Sequence, residues 1–357
     1  MSTTAHRPGT VPGLGRTVRL PVGGIVVRIE PRSIGVVLVL TAILLVLLVL
    51  AVGTGEFSIP PGEVIDTLLG GGDQSTRFII ETLRLPRAIT AILVGAALGA
   101  SGAIFQSLTR NPLGSPDIIG FVQGASAAAV FEIIVIGGGT FAIAAGSVVG
   151  GLLTAVLVYG LAYRGGVQGY RLILIGIGIS AMLVATTDFL LSRSTLEEAQ
   201  VANIWITGSL NGRGWEHVRP VAAAMAVLLP LVALLAGPLR MIELGDDAAH
   251  ALGVNVERTR LALLVVGVGL CAVATASAGP IVFVALAAPQ ISRRLTRAAG
   301  PGVGAALVMG AVLLLGADVA SQKIFTSTQL PVGVMTGAAG GVYLIWLLTR
   351  EWRKGTA

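Results

Sequence analysis

The sequence predicts an all-α, polytopic integral membrane protein with about ten transmembrane helices. Composition gives the first reason. Hydrophobic residues make up 54% of the 357 and charged residues only 12%, about half the charge share of a soluble domain; mean hydropathy is +0.88. The second reason is spacing, since apolar runs close to the length of a bilayer crossing alternate with short loops rich in arginine. Glycine is the third: 49 residues suit helices packed closely in lipid, where small side chains let backbones approach.

The elements follow in order. Residues 1–33 form a Gly/Pro/Arg-rich basic tail, with Arg7, Arg16, Arg19, Arg28 and Arg32 against the single acid Glu30. The first apolar run, 34–52, is too long for the core of a signal peptide and precedes no small-x-small cleavage site, so a retained helix is expected. Further spans are expected at 88–107, 118–136, 141–162, 171–191, 218–237, 259–278, 280–292, 303–322 and 333–349. The run 280–292 is short for a bilayer and contains Pro289, so its limits are the least defined. A single transmembrane domain thus covers 34–350, followed by a short tail, 351–357.

Two loops read as structured. Ser58-Ile59-Pro60-Pro61-Gly62-Glu63 opens a short amphipathic helix that Gly70-Gly71-Gly72 ends near Leu69. In the second loop, Asp246 and Asp247 suit the positive end of a helix dipole and Gly253 suits its C-terminal stop. Leu244, Ala248 and Leu252 recur every fourth residue as an apolar edge. That edge needs a cover, either a partner protein or the chain's own membrane domain.

Charge sets orientation. Loops on the tail's side hold Arg110, Arg164, Arg171, Arg240, Arg258, Arg260, Arg293, Arg294, Arg297, Arg350, Arg353 and Lys354. The opposite loops hold fewer, among them Arg84, Arg87 and Lys323, mixed with acids. The positive-inside rule puts both termini in the cytoplasm. The pI of about 10.2 therefore reports topology, and no nucleic-acid partner is expected. Arg84 and Arg87 oppose the bias, which singles them out.

The span 88–107 carries Gly95, Ala96, Ala97, Gly99, Ala100, Ser101, Gly102 and Ala103, a face nearly free of side chains that serves helix contact or lines a path. That pattern, repeated in 141–162 and 171–191, favours transport over simple anchoring to lipid. Glu132, Asp188 and Asp318 lie within or near the ends of apolar spans and keep an ion-coupled secondary transporter open as the alternative, although hydrogen-bonded helix-end acids are the plainer reading. No Gly-x-x-x-x-Gly-Lys-Ser/Thr phosphate loop occurs, so ATP is not bound in that manner and no enzyme activity is expected. Cys271 is the only cysteine, and His6, His217 and His250 are dispersed, so no metal site is expected.

Several blocks in order carry a resemblance. Arg84-Leu85-Pro86-Arg87, Gly95-Ala96-Ala97-Leu98-Gly99, Arg110-Asn111-Pro112-Leu113-Gly114-Ser115-Pro116, Gly279-Pro280 and Leu330-Pro331-Val332-Gly333 resemble the permeases of ATP-binding cassette importers for iron-siderophores, haem and cobalamin. Gly208-Ser209-Leu210-Asn211-Gly212, the loop from Gly245 to Arg258 and Gly340-Gly341-Val342-Tyr343-Leu344-Ile345 are most similar to the ferric-enterobactin permease subunits within it.

The resemblance implies a bacterial inner-membrane permease subunit that moves ferric-siderophore complexes inward. It implies a second permease subunit, related rather than identical, two ATPase subunits that bind the ATP, and an extracytoplasmic siderophore-binding protein. Arg84 and Arg87 would dock that protein. Gln322 stands where some members carry a third outer arginine, and Lys323 beside it is the substitute. Gly245, Asp246, Asp247, Ala249, Leu252 and Gly253 would form the ATPase coupling loop. Asn111 and Leu113 would narrow the path on its cytoplasmic side, with Gln168 and Gly169 near a second constriction. Gln290 stands where a histidine is common, which argues against an obligatory histidine there.

Overall fold

A computed structural model describes residues 16–19, 26–55, 57–164, 168–324 and 330–355. Most of the basic tail, with His6 and Arg7, lies outside the described residues. Two short strands of the tail, β1 (Arg16–Arg19) and β2 (Val26–Ile29), pair antiparallel with Arg16 opposite Ile29. Among the described residues these are the two strands of an otherwise helical chain, and no apolar alternation in the basic tail marks them.

Helix α1 (Pro31–Gly53) starts on a proline that costs it nothing, because the first turn has no intrahelical acceptor for that N–H. Helix α2 (Pro61–Leu68) is the expected surface helix, opened by Pro60-Pro61 and closed before the glycine run. Helix α3 (Gln74–Phe78) is capped by the Asp73 carboxylate, which accepts from the Ser75 and Thr76 N–H groups. The chain then winds through a π-helical stretch, Ile79–Arg84, directly into α4 (Leu85–Thr109). Pro86 cannot donate to the preceding turn, and the wider π winding lies where that bond is missing. Arg84 and Arg87 thus sit inside a continuous helical run, not in a loop before it.

Helix α5 (Phe121–Phe131) also ends in a π stretch, Glu132–Ile136. Helices α6 (Thr140–Ala162) and α7 (Gly169–Arg193) follow. Helix α8 (Leu196–Thr207) lies between spans and begins with a complete capping box formed by Thr195 and Glu198. Next come α9 (Trp215–Glu243), α10 (Asp246–Ala251), α11 (Val256–Ala278), α12 (Val284–Thr296), α13 (Val303–Ile324) and α14 (Val332–Gly355).

Among the described residues, seven helical runs are long and apolar enough to cross a membrane: Pro31–Gly53, Gln74–Thr109, Thr140–Ala162, Gly169–Arg193, Trp215–Glu243, Val256–Ala278 and Val303–Ile324. The apolar runs Phe121–Ile136 and Val332–Trp346 are shorter. Helix α12, at 13 residues, is roughly 20 Å long at 1.5 Å per residue, less than a bilayer core.

Helix α4 is the central pillar, buried from Val94 to Thr109 without a break. A Cβ on Gly95 or Gly99 would run into the backbone of α13 at Gly310 and Ala306, and one on Gly102 into Ala285 of α12. Its small-residue face therefore serves helix contact within the chain and does not line an open path. Polar side chains gather at the two ends of this pillar, one set around Arg84 and Arg87, the other around Arg110.

Candidate functional site

At the Arg84 end, α1, the loop after it, the π stretch, α4 and α13 enclose a cavity of about 430 Å³ lined by Arg84, Arg87, Asp318 and Gln322 among apolar residues. Arg84 donates to the carbonyls of Val52 (2.9 Å) and Phe57 (2.6 Å), so its guanidinium pins the loop that follows α1. Arg87 makes a two-pronged contact with Asp318, Nε to Oδ2 at 3.1 Å and Nη2 to Oδ1 at 2.8 Å. The Asp318 side chain is 1% exposed and Arg87 16%. Gln322 Nε2 completes the carboxylate's shell at 2.9 Å. The fork geometry suits a guanidinium and gives a buried charge the partner it needs. Lys323, one residue on, is exposed.

Asp318 is thus a paired and hydrogen-bonded acid within α13. Asp188 is exposed and Glu132 half-buried against Gly138 and Gly146.

At the opposite end, α4 stops at Arg110, which takes a left-handed conformation with φ 49°. The next residues form a tight turn: Asn111 Oδ1 accepts from the Leu113 N–H (2.9 Å), and Gly114 N–H donates to the Asn111 carbonyl (2.9 Å). Gln168 is the exposed N-cap of α7, and a Cβ on Gly169 would meet the backbone of Thr109 at 2.6 Å. The start of α7 is therefore packed against the last residue of α4, just before the Asn111–Leu113 turn.

The coupling-loop residues form α10, preceded by Gly245 at φ 120° and followed by Gly253 at φ 82°. Both glycines occupy backbone conformations that a side chain would strain. Ala249 is buried against the protein, while Leu244 is 70% and Leu252 59% exposed; Asp247 is exposed too. The chain's own membrane domain therefore leaves Leu244 and Leu252 of the apolar edge uncovered.

Asp246 is shared. Both its oxygens accept from Arg260 Nη2 at 3.0 Å, and Oδ1 also meets Arg110 Nη2. Burial pushes its carboxyl up, but the hydrogen bonds and charges of Arg260 and Arg110 outweigh that and hold it below the usual carboxylate range. Beside it, Arg293 bonds Glu243 (2.9 Å) and Ser107 Oγ (2.8 Å).

Three further residues were not singled out as site residues. Gln290 is buried, donates to the Pro112 carbonyl at 2.8 Å and accepts from the Tyr343 hydroxyl at 3.3 Å, tying α12 and α14 to the turn after α4. Arg260 anchors Asp246. Asp117 accepts from the Phe283 N–H at 3.4 Å, at the start of α12, and its other oxygen is buried without a partner among the described residues. An amide or an acid inside an apolar run is a readable signal of such roles. Among the described residues, no group of three or more His, Cys, Asp or Glu side chains is placed to hold a metal ion.

Comparison with known proteins gives concordant matches. The model of the FecCD transport family matches residues 43–350. The ferric enterobactin transport system permease protein FepG of Escherichia coli (strain K12) is 47% identical over 322 residues, covering 89% of this chain and 98% of that one. A probable siderophore transport system permease protein, YfhA of Bacillus subtilis (strain 168), is 37% identical, with 89% of this chain and 95% of the relative covered. Among solved structures, a metal-chelate type ABC transporter in an inward-facing conformation superposes with a TM-score of 0.79 at 26% identity, over 88% of this chain and 99% of that chain.

Proposed function

The chain belongs to the FecCD transport family, and on that premise we propose that it is a transmembrane permease subunit of an ATP-binding cassette importer that carries ferric-siderophore complexes into the cytoplasm. The observation that carries this reading is the exposed Leu244/Leu252 edge of α10 in a chain that siderophore permeases match over 89% of its length. Apolar surface held out in water calls for a partner, and a secondary transporter needs no such contact.

The finer parts of the reading have separate support. Ten crossings result if α5 with its π stretch, α12 and α14 join the seven long runs. Arginine-rich loops at the Arg110 end favour a cytoplasmic position for that end and for both termini. There the α10 segment would receive an ATPase subunit that binds the ATP. The turn at Asn111 and Leu113, with Gln168 and Gly169 at the start of α7, would be the cytoplasmic constriction. At the other end Arg84, Arg87 and Lys323 would meet acidic residues of a binding protein, Arg84 and Arg87 from a rigidly held mouth and Lys323 from solvent. A second, related permease chain would cover the exposed apolar faces of α7 and α14.

The test is uptake of radioiron-labelled ferric enterobactin, ferric citrate and a ferric hydroxamate into proteoliposomes holding this chain with its partner permease and ATPase. Uptake that requires ATP on the ATPase side supports the importer. Uptake driven by an ion gradient without ATP gives the secondary-transporter alternative. In the same system Leu252→Asp should abolish uptake and release the ATPase while the membrane domain stays folded.

A further inference from the structure

We propose that the Arg110–Asp246 ion pair is the link that carries movement of α10 to the constriction turn at 110–114, which makes Arg110 a positioning residue for the gate. The inference rests on the reading of α10 as the ATPase contact and goes beyond it by assigning the path the movement takes.

The geometry is that of a relay with one fixed and one movable arm. Arg260 is the fixed arm: its side chain is buried in α11 and it grips both Asp246 oxygens at 3.0 Å. Arg110 is the movable arm, because it is the first residue past α4 and belongs to the turn itself. Its Nε donates to the Ile242 carbonyl at 3.1 Å, at the end of α9, and its Nη2 meets Asp246. A non-glycine residue at φ 49° persists only where surrounding contacts hold it. These two side-chain contacts are to the segment that leads into and opens α10.

The turn beyond Arg110 is braced by its own hydrogen bonds, so a displacement of one residue is passed to the rest. Asn111 N–H donates to the Gln106 carbonyl at 3.2 Å, the Asn111 side chain caps Leu113, and Gly114 closes on Asn111. Gln290 then joins the Pro112 carbonyl to Tyr343 on α14. A shift of α10 therefore reaches Arg110 first, then the turn, then α14. Of α10 itself, only Ala249 is buried. Beyond Ala249 and the Arg260 grip on Asp246, α10 is not held to α11 by buried side chains, so it can tilt about that grip without breaking a packed core.

Arg110→Gln tests the assignment in proteoliposomes and in detergent extracts of the full complex. The expected result is that the ATPase pair copurifies at wild-type stoichiometry and hydrolyses ATP, while uptake per ATP falls roughly tenfold, the scale of one coupling contact. Arg110→Lys keeps the charge and should recover part of the ratio, which a loss of folding would not allow. Unchanged uptake per ATP in Arg110→Gln overturns the relay, and so does loss of the ATPase from both Arg110 variants, since that would make Arg110 part of the dock. The underlying reading is tested apart from this: if Leu252→Asp still binds the ATPase and imports, α10 is not the dock.

Discussion

Helices α4 and α7 have the same mean hydropathy, 2.0 in their most apolar windows, yet 83% of the α4 window is buried in the chain and 17% of the α7 window. Hydropathy reports that each can enter a bilayer. Side-chain volume decides what each meets there. The α4 window is built of glycine, alanine and serine that admit the backbones of α12 and α13. In α7, Leu172, Ile173, Leu174, Ile175, Ile177 and Ile179 surround Gly176 and Gly178, and only the first of these glycines is against a neighbour, the backbone at Ile119. Lipid offers no hydrophobic reason for helices to associate, so the small-residue helix becomes the pillar and the bulky one faces outward.

The largest effect should come from reversing that difference. Gly99→Leu forces a side chain into the Ala306 backbone of α13, where nothing flexible can yield. The cost should exceed the ~1–3 kcal/mol of ordinary overpacking, and folded protein should be lost from detergent extracts by size-exclusion chromatography. Gly178→Leu, with nothing within 4 Å of its Cβ, should leave the chain's own fold and elution unchanged. If both variants elute as wild type, the pillar assignment of α4 fails.

The ends of α4 provide the next test. Arg87→Gln strands the buried Asp318 carboxylate, and breaking such a pair typically costs about 3–5 kcal/mol. Asp318→Asn should cost less, because Arg87 is near the mouth cavity and can reach water. The thermal unfolding midpoint should therefore fall further for Arg87→Gln, and Arg87→Gln combined with Asp318→Asn should recover part of the loss. A larger loss in Asp318→Asn than in Arg87→Gln would mean that Arg87, not Asp318, is the more deeply buried partner.

Much of this was legible in the sequence. The spans of α1, α4, α6, α7, α9, α11 and α13 follow from apolar length, and the glycine face of α4 follows from its spacing. The capping box of α8 was also in plain view as Thr195 and Glu198, but it lies outside the apolar pattern that drew the reading. The pairings were not legible. Arg87 and Asp318 are 231 residues apart, and Arg110 and Asp246 are 136 apart. Only the packing of α13 on α4 and of α9 on α4 brings them together, and no local signal records a partner at that separation. One reason for an acid at Asp246, the helix N-terminus, is visible in the local pattern; the second, two arginines distant in the chain, is not.

A smaller effect tests by pH whether the ionised Asp246 carboxylate is the stabilising group. The Asp246 carboxyl is held below its ordinary value in the folded state, so the fold binds its proton less readily than the unfolded chain does. The stability it contributes is then fully present above the unfolded value near 3.9 and is lost as pH falls through the lower folded value. Between pH 7 and pH 5 the unfolding midpoints of the wild type and Asp246→Asn should differ by a constant amount. Below about pH 4 the two should converge. A difference that closes already between pH 7 and pH 5 would assign the stabilisation to another group.

The smallest effect is expected at the mouth, and it sharpens the contrast between held and free charge. Arg84 is spent on two backbone carbonyls and Arg87 on Asp318, whereas Lys323 is exposed at the end of α13. A rim charge in water is worth under about 1 kcal/mol, acting on encounter more than on the final complex. Lys323→Glu should therefore slow association of the binding protein a few-fold at low salt, with little change in dissociation. At an ionic strength near 1 M, where screening acts within about 3 Å, the difference should vanish. Stopped-flow association with the reconstituted complex measures both arms. A rate that stays at the wild-type value at low salt would remove Lys323 from the docking surface and leave any such role to the two arginines held inside the mouth.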